Sequence, residues 1–491
     1  MARLADTLTE AGHNLTFLAP VMDEGTKDML GVKITKDVVI VEQDEEMKRH
    51  QPPVDPVDDM SVFWKTEITP WNMDTSFSVF EDYMRRGCAS FLRNKDVYEA
   101  MKSRNFDVGI YEPLSVCGLG FMHAVGIRKT ISATSNVFTD FVLNVIGEPL
   151  DLSQVPAQLS KFGEEMSLSE RVYNYQISKA LENVFIQWFE SETKIYQEHF
   201  DVPHWKELML DSSFHFVNSI PYLDFPRTVT QKTVPIGGIS IDLEFLKSQK
   251  LTKEWSDVLD IRKHNMLISF GSVVRSQDMP IKWRNGLLEA IRSEPNVTFI
   301  WKYESDDVSW AEGVPNIHFS KWVPQTALLN DPRLSAFLTH GGLGSTNELA
   351  FLGKPALVVP IFVDQYRNAH MLARHGRAKV FRKDDLEHVK AAVHDILFNE
   401  SYLENSKKLS EILNNQPTHP KDQVVKYVEF AGKFGPFPKM NSCGRDLGFI
   451  QKNLIDVYFV LYAPYVGYFV VLSLVFWFFK AKMVSRKVKE L

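Results

Sequence analysis

Leu334 to Thr339 is a short run without charge, and it passes at once into His340-Gly-Gly-Leu-Gly-Ser345, with Glu348 close behind. The run suits a strand buried on both faces of a parallel sheet. Glycines at 341, 342 and 344 let the backbone turn sharply and approach a ligand, and Ser345 to Glu348 has the spacing of a capping box at a helix start. Strand, glycine turn and helix start together make an anion site. The free N–H groups of the first helical turn and the positive end of its dipole point where a phosphate would sit, with no metal required. His340, at the strand's carboxyl end, is expected to aim at the same place. Taken singly, His340 reads equally as a satisfied loop histidine and Glu348 as a plain capping carboxylate.

The flanking sequence outweighs those plainer readings. Trp322-Val-Pro-Gln325 precedes the strand, and a second apolar run, Ala356 to Pro360, leads Asp364-Gln365 to the same sheet edge, where doubly wound folds place ligands. The ordered set Trp322, Pro324, Gln325, Thr339-His340, Gly342, Ser345, Glu348, Gly353, Pro355, Pro360, Asp364-Gln365 and Asn368 resembles the signature of the UDP-glycosyltransferases, the animal glucuronosyl- and glucosyltransferase family. The resemblance implies that Trp322 stacks on uracil and that Gln325 meets uracil and ribose. It further implies that His340 and Ser345 touch the pyrophosphate, Glu348 holds ribose hydroxyls, and Asp364 and Gln365 hold sugar hydroxyls.

A chain of 491 residues is too long for one core, given roughly 100–200 residues per domain. The net charge of −7 argues against nucleic acid as a partner, which would want a basic face. Cys88, Cys117 and Cys443 lie far apart without C-x-x-C or His pairing, so neither a zinc site nor a disulfide framework is indicated and the three are expected to be free. No Asp-x-Asp pair that would hold a sugar nucleotide through a divalent cation occurs.

Ala2 to Ala11 has helical apolar spacing with Gly12 as a stop, and Asn14 to Ala19 reads as a buried strand. A Rossmann-like half should open on a strand, so a first strand and its ligand-facing loop are expected to be missing upstream. The resemblance implies that this missing loop carries the catalytic histidine; His13, after the helix, reads as a turn residue. Val38 to Glu42 is a further strand, and the acidic, Pro-rich segment after it (Asp44 to Glu46, Pro52-Pro53, Pro56) reads as a loop that could cover an acceptor pocket. Helices are expected over 77–83, 97–104 and 168–192, and strands at Phe106 to Tyr111 and Lys129 to Ser135. Glu112-Pro113 ends the first of these strands where the family usually has Asp-Pro. There Glu112 would orient the catalytic histidine as an acid does in a triad.

Phe214 to Ser219 resembles the last strand of the first half. Asn265 to Phe270 opens a new α/β unit and runs into Gly271-Ser272, whose turn resembles the family's second contact with the diphosphate. Strands at Thr298 to Lys302, Asn316 to Phe319 and Ala378 to Phe381 follow, with a helix over 385–397. Val457 to Phe479 is about 23 residues without charge, long enough to span a bilayer. Tyrosines at one end, Trp477 at the other and the basic tail behind it suit a transmembrane helix with a cytosolic tail. The ending Lys487-Val-Lys489-Glu-Leu491 resembles a dilysine retrieval signal and favours a lumenal body in the endoplasmic reticulum, given a signal peptide.

The expectation is therefore an α/β protein of the GT-B architecture, two Rossmann-like domains facing a cleft. Its parts are an acceptor domain over 1–237, a linker over 238–263, a UDP-sugar domain over 264–440, a membrane-proximal segment over 441–456, the anchor over 457–479 and the tail over 480–491. The family implies inverting, metal-independent transfer of a glucuronosyl or glucosyl group from a UDP-sugar co-substrate to a small lipophilic acceptor, without a cofactor. Two alternatives stand beside it: a chain that binds UDP-sugar or pairs with itself or intact family members without turnover, and a UDP-sugar epimerase of the same architecture.

Overall fold

The computed structural model describes residues 1–22, 30–49 and 61–489, with side chains described as far as 482. They divide into two compact units, Met1–Met440 and Asn441–Leu491.

In the first unit the described strands form three sheets, and every pairing is parallel. β1 (Thr16–Pro20) pairs with β2 (Asp37–Val41). β3 (Gly109–Tyr111), β4 (Thr130–Ala133), β5 (Phe214–Val217) and β6 (Thr233–Pro235) follow one another in a second sheet. The third sheet is built from β7 (His264–Ser269), β8 (Val297–Lys302), β9 (Ile317–Ser320), β10 (Leu334–Thr339), β11 (Ala356–Val358) and β12 (Ala378–Val380). Its order is β12-β11-β10-β7-β8-β9. The chain runs outward from β7 to β9, returns to the far side of β7 and runs outward again, so its direction reverses between β7 and β10. That reversal is where open parallel sheets bind ligands.

Successive side chains of this sheet fall into different cores. Met266, Ile268, Ala336 and Leu338 belong to one apolar cluster, while Leu267 and Phe337 belong to another. Both faces are therefore covered, which explains why these strands read as unbroken apolar runs. β8 is buried at all six positions.

Several details differ from the sequence reading. The capping box is not formed: the helix begins at Leu343, its N-cap is Gly342, and Ser345 already lies inside the first turn. The glycine turn ends three residues sooner than the Ser-x-x-Glu spacing suggests, and the first-turn N–H groups have no side-chain cap. Cys88 and Cys117 are not free but form a disulfide. The helix Met73–Leu92 and the start of the helix Cys117–Ala124 carry one each, a proximity that a separation of 29 residues does not announce. Cys443 is free and exposed. The stretch before Gly237 contains the short strand β6, and residues 238–263 carry two helices, Leu243–Ser248 and Lys253–Asp260. The helix Pro420–Phe434 returns to the first half, where Val424, Val428 and Ala431 pack with Leu4, Ile131 and Phe214. Glu45–Arg49 is a helix, and the prolines at 52, 53 and 56 lie outside the described residues.

The second unit holds the helix Ile455–Lys489, whose segment Ile455–Lys482 is long and apolar enough to cross a membrane.

Candidate functional site

β7 and β10 end in register, Ser269 opposite Thr339, so the loops through Gly271 and through His340 leave the sheet side by side. Gly271 and Gly341 both have positive φ, at 86° and 87°, which a side chain would strain. The two loops close on one imidazole. A Cβ at Gly271 would lie 2.8 Å from His340 Cε1, and one at Gly342 would lie 2.6 Å from Nε2. His340 thus stands between two glycines, each of which must remain a glycine for the ring to keep its place. Burial pushes its pKa down to about 4, helped by the positive charge of Lys302. The ring is neutral at pH 7, and its buried Nδ1 has no hydrogen-bond partner.

Lys302, at the end of β8, was not singled out by its sequence. Its Nζ donates to Gly271 O at 2.6 Å and pairs with Glu304 at 3.3 Å, lying 6.0 Å from the Trp322 ring centre. Nothing in the sequence brings β8 beside β7; once the sheet forms, the ammonium holds the glycine loop and places a positive charge by the imidazole.

Trp322 is 73 % exposed, which is uncommon for so large a ring and leaves it free to stack on a flat ligand. Gln325 starts the helix Gln325–Asn330 and crosses to the helix Leu343–Leu352. Its Nε2 donates to Ser345 Oγ at 3.0 Å and to Glu348 Oε2 at 2.6 Å, and Thr326 Oγ1 donates to Glu348 Oε1 at 2.6 Å. Gln325, Ser345 and Glu348 form one hydrogen-bonded cluster. Ser272 is exposed just past the first glycine loop.

Asp364 occupies the N-cap position of the helix Gln365–Ala373 without a side-chain cap bond, and it follows Val363, whose φ of 54° is an outlier for a β-branched residue. Burial raises the Asp364 pKa, and its carboxylate accepts from Asn368 Nδ2 at 2.9 Å. The same amide donates to Gly341 O at 3.1 Å, which ties this helix to the His340 loop. Gln365 is turned partly inward: its Oε1 accepts the N–H groups of Ile361 and Phe362 at 2.9 and 3.1 Å. Only its NH2 end is left to meet a ligand.

Glu112 lies in the first half, directly after β3. Its Oε1 accepts from the Ser135 N–H at 2.9 Å and from the Ser135 hydroxyl; among the described residues no imidazole is bonded to it. His13 pairs with Glu429 at 3.4 Å in the turn after the first helix. Among the described residues no three His, Cys, Asp or Glu side chains are grouped to hold a metal ion.

The two halves meet closely at the helix Gln365–Ala373. Arg367 pairs with Asp224 at 2.6 Å, both side chains 2 % exposed, and Arg374 pairs with Glu164 at 3.1 Å. From the other side Trp64 is fully buried in the second half, donating to Arg275 O at 3.0 Å.

This arrangement has known counterparts. A family model described as "UDP-glucoronosyl and UDP-glucosyl transferase" matches residues 1–490. A putative UDP-glucuronosyltransferase of Caenorhabditis elegans, ugt-56, is 26 % identical over 481 residues, covering 95 % of this chain and 90 % of that protein. UDP-glucuronosyltransferase 1A9 of Mus musculus is 30 % identical over 402 residues, covering 80 % and 72 %. Among solved structures, the glycosyltransferase VinC in complex with dTDP superposes with a TM-score of 0.57 at 15 % identity over 88 % of this chain and 96 % of its own. The glycosyltransferase of kitacinnamycin gives 0.55 at 17 % over 89 % and 95 %. The shared fold is GT-B.

Proposed function

Because the chain belongs to the family of UDP-glucuronosyl and UDP-glucosyl transferases and is a UDP-glycosyltransferase, we propose that it moves a hexosyl group, glucuronosyl or glucosyl, to a small lipophilic acceptor with inversion and without a metal. The observation that carries the donor side is the Gln325–Ser345–Glu348 cluster beside the exposed Trp322. In this reading Trp322 stacks on uracil, and Gln325 reaches uracil and ribose. Glu348 keeps lone pairs for ribose hydroxyls, since a carboxylate has about four acceptor sites and two are in use. The diphosphate lies over the first turn of the helix Leu343–Leu352, against Ser345, Ser272 and the neutral imidazole of His340. Asp364 and the NH2 of Gln365 take the sugar hydroxyls.

The acceptor oxygen attacks the anomeric carbon from the face opposite UDP, its proton passes to a base, and the bond to the diphosphate oxygen breaks with its electron pair on UDP. First-turn N–H groups, Ser345 and Ser272 stabilise that charge as it develops. In this reading Glu112, which follows β3, orients an imidazole base. A chain that binds donor without efficient turnover is the second reading, favoured by one observation: Glu112 is bonded to Ser135 instead.

The disulfide supports a lumenal body, since disulfides persist in oxidising compartments. The helix Ile455–Lys482 then serves as a membrane anchor with a cytosolic basic tail, in the endoplasmic reticulum. The test is transfer from UDP-glucuronate and UDP-glucose to a panel of small phenols and steroids in EDTA, with the anomeric configuration of the product read by NMR. A β-linked product from an α-linked donor is expected; retention, or dependence on added Mn²⁺ or Mg²⁺, would refute the mechanism.

A further inference from the structure

Gln325, Thr326, Ser345 and Glu348 hold one another within the second half. The stretch that carries Asp364 and Gln365 is also gripped from outside it. Its helix, Gln365–Ala373, packs on the first half through Arg367 and Arg374. The loop ahead of that helix, residues 361–363, meets a second piece of the first half.

That piece is the short helix Val62–Lys65 and its flanks. Trp64 is its anchor, with its ring edge-on to Phe270 at 5.0 Å and its N–H on Arg275 O. Beside it the Phe63 ring stacks on Phe362, the centroids 4.7 Å apart and the planes 13° from parallel. Lys383 closes the contact. An ammonium has three N–H donors, and this buried one spends them on Phe63 O, on Thr66 O at 2.9 Å and on Ile361 O at 3.0 Å. One cation therefore ties two carbonyls of the first half to one carbonyl of the loop. Past Thr66 the chain is fastened to its own half, where Glu67 pairs with Lys161 at 2.7 Å. His370, on the sugar-subsite helix, donates to Lys161 O at 3.0 Å.

The loop needs such a grip. Val363 has a φ of 54°, a conformation that a β-branched residue keeps only where its surroundings over-determine it. Gln365 Oε1 holds the N–H groups of Ile361 and Phe362 from inside the second half. From outside, Lys383 holds Ile361 O and Phe63 covers the Phe362 ring. Asp364 follows Val363 directly, so the backbone angle held there sets the direction in which its carboxylate leaves the loop. Loss of the outer contacts lets Val363 relax towards negative φ, which turns Asp364 and loosens the bonds that fix Gln365.

We propose that Phe63 and Lys383 are positioning residues for the sugar part of the donor, so that the first half sets how the second half reads the hexose, while the nucleotide cluster stands without them. This deepens the proposed function and rests on its assignment of the sugar hydroxyls to Asp364 and Gln365.

The test titrates UDP, UDP-glucose and UDP-glucuronate by calorimetry into the full chain in lipid nanodiscs. The readout is the ratio of the UDP-sugar Kd to the UDP Kd, in which a general loss of fold or of nucleotide binding cancels. Phe63→Ala and Lys383→Met are expected to raise that ratio by about tenfold, the worth of one hydrogen bond to a charged group, with UDP affinity unchanged. Phe63→Tyr, which keeps the stacked ring, is expected to keep the parent ratio. Should Lys383→Met fail to bind UDP, Phe63→Ala, at a partly buried position, decides alone. Asp364→Asn separates the two readings. If it raises the ratio and the Phe63 and Lys383 variants do not, the sugar subsite stands and this inference is overturned; if it too leaves the ratio unchanged, the sugar assignment fails and the inference falls with it. Equal loss of UDP and UDP-sugar affinity in Phe63→Ala overturns it as well. Hydrogen–deuterium exchange without ligand gives a check free of the donor reading: the Ile361 and Phe362 amides are expected to exchange faster in Phe63→Ala, with those of the helix Leu343–Leu352 unchanged. Unaltered exchange at both amides overturns the proposal.

Discussion

Glu348 has one carboxylate oxygen held by Gln325 and the other by Thr326, so it is aimed by neighbours that are themselves part of the donor cluster. Hydrogen bonds to a charged group contribute about 1.5–3 kcal/mol, so Glu348→Ala is expected to weaken UDP by roughly 10- to 100-fold, measured by calorimetry. Gln325→Ala removes the proposed contact to uracil and ribose and also releases Glu348, so the double variant should lose less than the sum of the two. His340 gives a pH signature. Its folded pKa of about 4 lies below the ordinary 6.5, so the unfolded chain takes up the proton first. Stability from this group is complete above pH 6.5 and is lost as pH falls towards 4, by about 1–2 kcal/mol at pH 5. His340→Asn lacks that loss, so the difference between the two urea-unfolding free energies should narrow by that amount between pH 7 and pH 5; a constant difference would mean the imidazole is not held neutral by burial. Residue types and spacing made His340, Ser345 and Glu348 legible in the sequence. Lys302 was not, because it acts through its neighbouring strand, and the inward turn of Gln365 depends on a loop conformation that no spacing encodes.

The glycine loops are the element on which the site turns. Gly271→Ala puts a methyl group against the imidazole at a φ of 86°, so it should cost about 1 kcal/mol or more and carry His340 out of position. Gly344 is the control: it lies in the first helical turn with open space around its Cβ, and Gly344→Ala should be neutral or up to about 1 kcal/mol stabilising. Comparative urea unfolding reads both, and equal destabilisation would show that the loops are not specifically packed on the ring. Strands of the third sheet were readable because both faces are buried and the runs are unbroken. β6 was not, since three residues ending in Pro235 look like a turn, and its strand identity comes from pairing with β5. The disulfide escaped for the same reason, being a contact between two helices.

At the scale of the molecule, one helix links the two halves. Gln365–Ala373 begins at the proposed sugar subsite and carries Arg367, buried against Asp224 of the first half. Removing one partner of a buried pair typically costs about 3–5 kcal/mol, so Asp224→Ala is expected to lower the unfolding free energy by that order. A loss below about 1 kcal/mol would show that the halves do not depend on this pair. The helix Pro420–Phe434 packs on the first half, so the second half cannot be cut out cleanly at its sheet. The helix proposed as an anchor lies in the separate unit Asn441–Leu491, and a chain ending at Met440 is expected to leave the membrane fraction. The donor side of the account stands or falls on a single titration: UDP into that shortened chain in EDTA, with and without Glu348→Ala. One site per chain that survives EDTA and weakens at least tenfold in the variant is the predicted result; binding abolished by EDTA, or unchanged by Glu348→Ala, would contradict it.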